Sequence, residues 1–436
     1  MADVEKVLEP YMLDINVPAG KCPIEVLIAF PESLHNPEKR AELERLWLCG
    51  NEKDYFHLTL IREKKVTAIC RLTHVAYNLM SGSVSIRLPA GVSLPVRPSV
   101  LWKLGGVEDI VQKLSDYLMI RVVKLQKTIE VTDIQPLYGV VDMEKAKQIL
   151  DTGVNPFDVL ILGLGYRLNN VTRRLLFPRI LTWFKAHDGK PIHVCQLTQP
   201  ESGKTHFGLR SETLFNWEYV NEPPSSARLV MDARSGALGI VYLRDGIVFD
   251  EFDKWSLFTD RVEKSFDILL TGMEQGKWTR GTTKLASEAP DIRRLLPILF
   301  FGNSETIRPY LEDSGENTRI AFATIYTDQF RRDCKPLADR LAMIDVVEDE
   351  IRITDHLTYK VLPDGIIRGI VEIIQSRVKP VNTTKLQGRL RRHSEAIQAV
   401  THALGLNYKP ETVDKMVWGV RYAVPEISEG GEVKRG

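Results

Sequence analysis

No run of apolar residues in this 436-residue chain reaches the roughly 18–20 positions that a membrane span needs. The best candidate, FDVLILGLGY, is too short and reads as a buried helix. The opening MADVEKVLEPYML lacks the basic-then-apolar layout of a signal peptide. Cysteine is sparse: Cys22, Cys49, Cys70, Cys195 and Cys334 are scattered, odd in number and never form a C-x-x-C pair. That excludes a disulfide framework and a zinc ribbon, and the expectation is a reducing, cytoplasmic setting without a membrane. Charge of one sign is also lacking. The 58 basic and 57 acidic residues leave a net +1, and this balance is silent on a nucleic-acid partner because a basic lining can be local.

What is present is an ordinary globular balance, with 44% apolar and 26% charged residues. The length suggests about two to four domains. Residues 1–150 read as an α+β unit. YFHLTLI, VTAICRL and SVSIRLP have strand character, and GGVEDIVQKLSDYLMIRVVKLQKTIE reads as a helix running on into a strand. After Asn155 the style changes. NPFDVLILGLGY and TRRLLFPRILTWFKAHD read as helices. Then IHVCQL, ARLVMD, GIVFDE and LPILFFGN, with IAFATIY a further candidate, are apolar runs separated by helical stretches. That pattern suggests a parallel sheet with helices on its faces. From about residue 346 the sheet pattern fades. KLQGRLRRHSEAIQAVTHALGL is an amphipathic helix, and the tail EISEGGEVKRG is polar.

Five stretches carry chemistry. In IHVCQLTQPESGKTHFGLR an apolar strand feeds a loop that ends in Ser202, Gly203, Lys204 and Thr205, ahead of a helix. Triphosphate binding needs this arrangement. Backbone N–H groups at a helix N-terminus hold phosphate, Lys204 neutralises the β/γ oxygens and Thr205 takes Mg²⁺. The pattern G-x-x-x-x-G-K-[ST] is incomplete, because Thr198 stands at its first glycine. A Cβ there is expected to hinder the turn. A surface turn spells the same letters. In ALGIVYLRDGIVFDEFDKW a buried strand ends in Asp250 and Glu251. At the sheet's C-terminal edge Asp250 suits the Mg²⁺ shell, and Glu251 suits a base for the attacking water. The alternative is a solvated acidic turn, since Asp253 and Lys254 follow. Asp250 lies 46 residues after Lys204, a separation that fits one strand and one helix between the motifs.

LPILFFGNSET ends a further strand at Asn303, which would lie between the phosphate loop and the acidic strand and position water. The plainer reading is a Gly-Asn turn. In CKPLADRLAMIDVVEDE, Arg340 suits an arginine that reaches a neighbour's γ-phosphate, or a surface residue paired with Asp339 or Glu348. MEQGKWTRGTTKLASEAP places Lys277, Arg280 and Lys284 around Trp278. That suits a hairpin gripping a DNA backbone, or a solvated basic loop.

Taken together these stretches resemble known families. SGALGIVYLRDGIVFDEFDKW is similar to the acidic strand of MCM replicative helicases, Met273-Glu274-Gln275 to the MEQ before their pore hairpin, and TTKLQGRLRRHSEAI to their lid helix. The Lon-like ATPase BrxL of BREX phage-defence systems, itself MCM-like, resembles the middle of the chain more fully. FDVLILGLGYRLNN, HVCQLTQPESGKT, SGALGIVYLRDGIVFDEF, KWTRG, LFFGNSETIRPYL and PLADRLAMIDVVE recur in its order, over roughly residues 155–410. The resemblance implies an α/β P-loop AAA+ core at 151–345 and a helical lid at 346–436; the α+β N-terminal domain at 1–150 carries no recognisable family pattern, and its place ahead of the core is what suggests a DNA-binding collar. The resemblance also implies ATP and Mg²⁺ as cofactors, DNA as partner and a homo-oligomeric ring, most simply a hexamer.

Residue by residue, it implies Lys204 and Thr205 in the P-loop, Asp250 and Glu251 as the acids, and Asn303 as first sensor. Arg340 falls on the inter-subunit finger, Arg280 in the pore hairpin, and Lys385 or Arg389 on a second nucleotide sensor. Thr198 and Glu201 replace P-loop glycines, so weak nucleotide binding is expected. MCM-type zinc cysteines and a Ser-Lys dyad context are lacking, and no peptidase activity is expected. The reading that results is an ATP-dependent DNA translocase or helicase of a mobile-element, replication or phage-defence type. A DNA-encircling ring with little hydrolysis and a protein-remodelling ATPase remain as rivals.

Overall fold

The computed structural model describes residues 3–15, 27, 30, 32–47, 59–72, 74–78, 83–88, 93–104, 117–125, 129–136, 141–232, 237–278, 293–382, 385–421 and 423. In chain order its strands are β1 (Leu13–Asp14), β2 (Lys65–Arg71), β3 (His74–Asn78), β4 (Ser83–Arg87), β5 (Ser93–Val96), β6 (Tyr117–Lys124), β7 (Ile129–Pro136) and β8 (Val194–Thr198). They continue with β9 (Trp217–Val220), β10 (Met231–Asp232), β11 (Ala237–Leu238), β12 (Gly246–Phe249), β13 (Ile298–Asn303), β14 (Met343–Val347) and β15 (Lys360–Val361).

A five-stranded parallel sheet in the order β14-β8-β13-β12-β9 forms the centre. Strands β8, β12 and β14 are buried at every position, and β13 at all but Asn303. Both faces of the sheet are covered, so these strands read as continuous apolar runs rather than as an alternation. The Asn170–Leu181, Lys204–Phe215 and Asp364–Arg377 helices contribute to one core, and the Thr259–Gln275 and Thr318–Phe330 helices to the other. The first core also takes Leu8 from the beginning of the chain and Ala146, Ile149 and Leu150 from the Met143–Asp151 helix.

A second sheet runs β10-β11-β3-β4-β5-β7-β6-β2, antiparallel except where β5 meets β7. Alternation in β4 leaves Val84 and Ile86 buried and Ser83 and Arg87 exposed. The hairpin β10–β11 comes from the middle of the chain and joins this sheet through Ala237 opposite Ala76. Among the described residues no helix is long and apolar enough to cross a membrane.

Several expectations need correction. The described part of YFHLTLI, residues 59–61, is helical, in a turn of helix that runs to residue 63. GGVEDIVQKLSDYLMIRVVKLQKTIE needs no correction in its described residues, which form β6 and the start of β7 as the expected strand, with Leu118, Ile120 and Val122 alternating into the core of that sheet; the helix expected ahead of it falls on residues 105–116, outside the described residues. ARLVMD is a short helix, capped by Ser225, that runs into β10. IAFATIY lies in the Thr318–Phe330 helix, where Asn317 accepts hydrogen bonds from the N–H groups of Arg319 and Ile320. Its β-branched residues suggested a strand, yet Ala321, Phe322, Ile325 and Tyr326 bury one helical face.

The fold buries several charges in pairs. Arg173 Nε and Nη2 donate to Asp158 Oδ1 and Oδ2 at 2.9 and 3.1 Å, and the two side chains are only 1% and 2% exposed. Removing one partner strands a charge in the core. Asp158→Ala is expected to cost about 3–5 kcal/mol of stability, read as a large fall in the urea midpoint. A fall worth less than about 1 kcal/mol would mean that water reaches Arg173.

Candidate nucleotide site

The site grows from the C-terminal edge of the parallel sheet, where β8 ends at Thr198. Two left-handed residues shape the loop that follows, Glu201 at φ 62° and Gly203 at φ 76°. The glycine adopts this freely, and a Cβ on it would lie 2.8 Å from Ile353 Cγ1. Glu201 holds the same conformation at a cost of about 1–2 kcal/mol. Thr198 does not hinder the turn. It is a strand residue paired with Asn303 and Val347, and its Oγ1 lies 2.6 Å from Ser202 Oγ. The irregularity of the loop therefore sits at Glu201.

Lys204 begins the Lys204–Phe215 helix, and its Nζ donates to the carbonyl oxygens of Thr198 (3.2 Å), Gln199 (3.4 Å) and Gly302 (3.2 Å). Burial lowers its pKa, opposed chiefly by the charge of Asp250. Beneath the loop lies Arg179, from the Asn170–Leu181 helix, which no sequence motif marks as part of the site. It is fully buried. Its Nε donates to Gln196 Oε1 at 2.6 Å and its Nη2 to the Ser202 carbonyl at 3.1 Å. Its guanidinium lies 5.0 Å from the Phe301 ring centroid, and burial pushes its pKa down to about 10. Gln196 in turn donates to Asp345, which Arg174 pairs. A polar network thus fixes the floor of the loop from inside the sheet. An arginine amid LLFPRIL was the available signal.

The acidic strand β12 lies two strands from β8, with β13 between them. Asp250 is 4% exposed. Its Oδ1 accepts the Glu251 N–H at 2.8 Å and its Oδ2 accepts the Tyr219 hydroxyl. That same hydroxyl lies 3.2 Å from Thr205 Oγ1. The Thr205 hydroxyl and the Asp250 carboxylate therefore converge on one point. An oxygen donor pair of this kind fits Mg²⁺, a hard cation that takes its remaining ligands from phosphate and water.

Glu251 is left-handed at φ 52°, and its exposed carboxylate pairs with Lys254. Asn303 caps the following helix through Oδ1, which accepts the Glu305 N–H at 3.0 Å. The Asn303 N–H donates to Asp253 Oδ1 at 3.1 Å. Asp253 is thus not a solvated turn residue. It holds the end of β13 in place, and burial raises its pKa.

Residues 144–320 match the family model described as Lon-like protease BrxL-like, ATPase domain. ORF425 of Acidianus filamentous virus 2 is 32% identical over an alignment of 322 residues that covers 67% of this chain and 72% of that protein. ORF426 of Acidianus filamentous virus 1 is 27% identical over 84% of this chain and 88% of its own. Protein 440 of Sulfolobus islandicus rod-shaped virus 1 is 24% identical over 85% and 84%. The chain belongs to this viral family and carries a BrxL-like ATPase domain.

The remaining candidates lie elsewhere in relation to that ATPase domain. Arg340 precedes β14 and so lies toward the N-terminal edge of the parallel sheet, opposite the edge that holds Lys204. Its Nε donates to the Leu270 carbonyl at 2.9 Å, its Nη1 to the Pro336 carbonyl at 2.7 Å and its Nη2 to Glu274. The surface pairing with Asp339 or Glu348 is not what forms. Arg389, from the Gly388–Ala403 helix, donates to the other oxygen of Glu274. Both arginines line a cleft with His193, Arg392 and Glu395. Arg389 is therefore gathered with Arg340 and not with Lys204 of its own chain. Lys385 is exposed ahead of the helix. Lys277 bridges Arg293 in antiparallel fashion, with Trp278 buried beside them and its Nε1 donating to the Arg294 carbonyl at 2.8 Å. Arg280 and Lys284 lie outside the described residues.

Proposed function

We propose that this protein is a ring-forming, ATP-dependent DNA translocase or helicase of the MCM/BrxL-like kind. The observation that carries the reading is the division of charge between two edges of one sheet. Lys204, Thr205, Asp250 and Asn303 share one edge, and Arg340 and Arg389 share the other. A second copy docked edge to edge would complete each site, and repetition of that heterologous contact closes a ring, most simply a hexamer.

In this reading the loop N–H groups of Ser202 and Gly203 and the ammonium of Lys204 hold the β/γ-phosphates. Mg²⁺, held by Thr205 and Asp250, supplies charge neutralisation. Water attacks the γ-phosphorus, the bond to the β–γ bridging oxygen breaks, and ADP carries that oxygen away. The water's proton passes to Glu251, which must first leave Lys254, an exposed pair worth little. Asn303 orients the water, and the neighbour's Arg340 and Arg389 offset the developing charge. The Thr259–Gln275 helix that carries Glu274 leads directly to Lys277, so arginine movement at Glu274 would reach the Lys277–Arg293 bridge. Residues 1–150 serve as a DNA-binding collar, 151–345 as the AAA+ core and 346–436 as the helical lid.

A second reading, a DNA-encircling ring with little hydrolysis, draws support from Glu201, whose strained backbone and carboxylate both disfavour a polyphosphate in the loop. The test of DNA engagement is fluorescence anisotropy of a labelled duplex, with and without a non-hydrolysable ATP analogue, over a range of salt. The proposal predicts binding that depends on the analogue and falls steeply with salt. Absence of binding at low salt would remove DNA from the account.

A further inference from the structure

Resting on the reading of Lys204 and Thr205 as the nucleotide site, we infer that Tyr219 is a gate on the cation position. Its hydroxyl takes the point where the Thr205 and Asp250 oxygens meet, donating to Asp250 Oδ2 and lying 3.2 Å from Thr205 Oγ1. A hydroxyl proton satisfies the buried carboxylate while no cation does. Binding a divalent ion through the same two oxygens requires the Tyr219 hydroxyl to give way.

The ring is held for this task. Tyr219 lies in β9 opposite Val248 of β12, and its N–H donates to Glu212 Oε1 at 2.8 Å. On the phosphate-loop helix the ring packs over Gly208, where any Cβ would collide with it. The missing side chain at Gly208 is what lets the tyrosine reach between Thr205 and Asp250. Its hydroxyl is a positioning group for the empty site and a competitor for the filled one.

Two substitutions test this. Tyr219→Phe removes the hydroxyl and keeps the ring. Gly208→Ala keeps the hydroxyl and displaces the ring; its helix-favouring change offsets part of the overpacking against Tyr219, and a thermal melt of each variant verifies that it is folded before binding is read. The readout is Mn²⁺ binding in the presence of ADP, measured by the electron paramagnetic resonance signal of free Mn²⁺. ADP binding in EDTA, followed with a fluorescent ADP analogue, is the control. Both variants are expected to bind Mn²⁺ about tenfold more tightly, the size of a charge-assisted hydrogen bond that no longer has to be broken. ADP affinity in EDTA should change less than about twofold. Unchanged or weaker Mn²⁺ binding in the variants, with wild type binding Mn²⁺ and ADP, would overturn the gate and leave the nucleotide site standing. Failure of the wild-type protein to bind ADP under either condition would overturn the site itself and the gate with it.

Discussion

Glu251→Gln is expected to lower ATP turnover by about a hundredfold to a thousandfold, the range for removing a positioned base. Nucleotide affinity should stay within a few-fold of wild type. The substitution keeps the shape of a side chain that already sits at φ 52° and is half exposed, so little structure depends on its charge. Its ion pair with Lys254 is three residues away on the surface and contributes little. Equilibrium binding of a fluorescent ATP analogue beside single-turnover hydrolysis separates the two effects. Loss of binding in step with turnover would mean that Glu251 supports the site rather than the chemistry.

Arg340→Ala is expected to reduce turnover by about a thousandfold or more, the scale of an arginine that meets the transferring phosphoryl group. What identifies it as an inter-subunit group is rescue. Mixed in equal amounts with Lys204→Ala protein, it should recover about a quarter of wild-type turnover. Random assembly in a ring gives about one interface in four an intact phosphate loop from one variant and an intact arginine from the other. Because Arg340 also ties the Leu270 and Pro336 carbonyls together, Arg340→Lys serves as the companion variant. It keeps the charge without the fork. A mixture as inactive as its parents would place Arg340 in a structural role.

The central strands were legible because a parallel sheet buried on both faces writes itself as uninterrupted apolar runs, and β8, β12 and β13 fall on such runs. The Ser202–Thr205 loop and the Asp250–Glu251 pair were legible as candidates because each follows a strand at once. β9 was missed. Trp217–Val220 is only four residues long and carries a glutamate, so nothing local marks it as a strand. With it went Tyr219, whose partners Thr205 and Asp250 lie 14 and 31 residues away. Arg340 shows the same limit. Asp339 and Glu348 are the sort of partners a local reading offers, and the carboxylate it meets is 66 residues back. Thr198 was suspected from a pattern, while the conformation that glycine would favour falls at Glu201. Backbone dihedrals and long-range ion pairs are properties of the folded chain, and spacing along the sequence does not encode them.

ATP hydrolysis by the purified protein, with and without double-stranded DNA, is the decisive test of the proposed motor. Measurable turnover that rises several-fold when DNA is added is expected. Turnover indifferent to DNA, or DNA bound with no turnover at all, would contradict the motor.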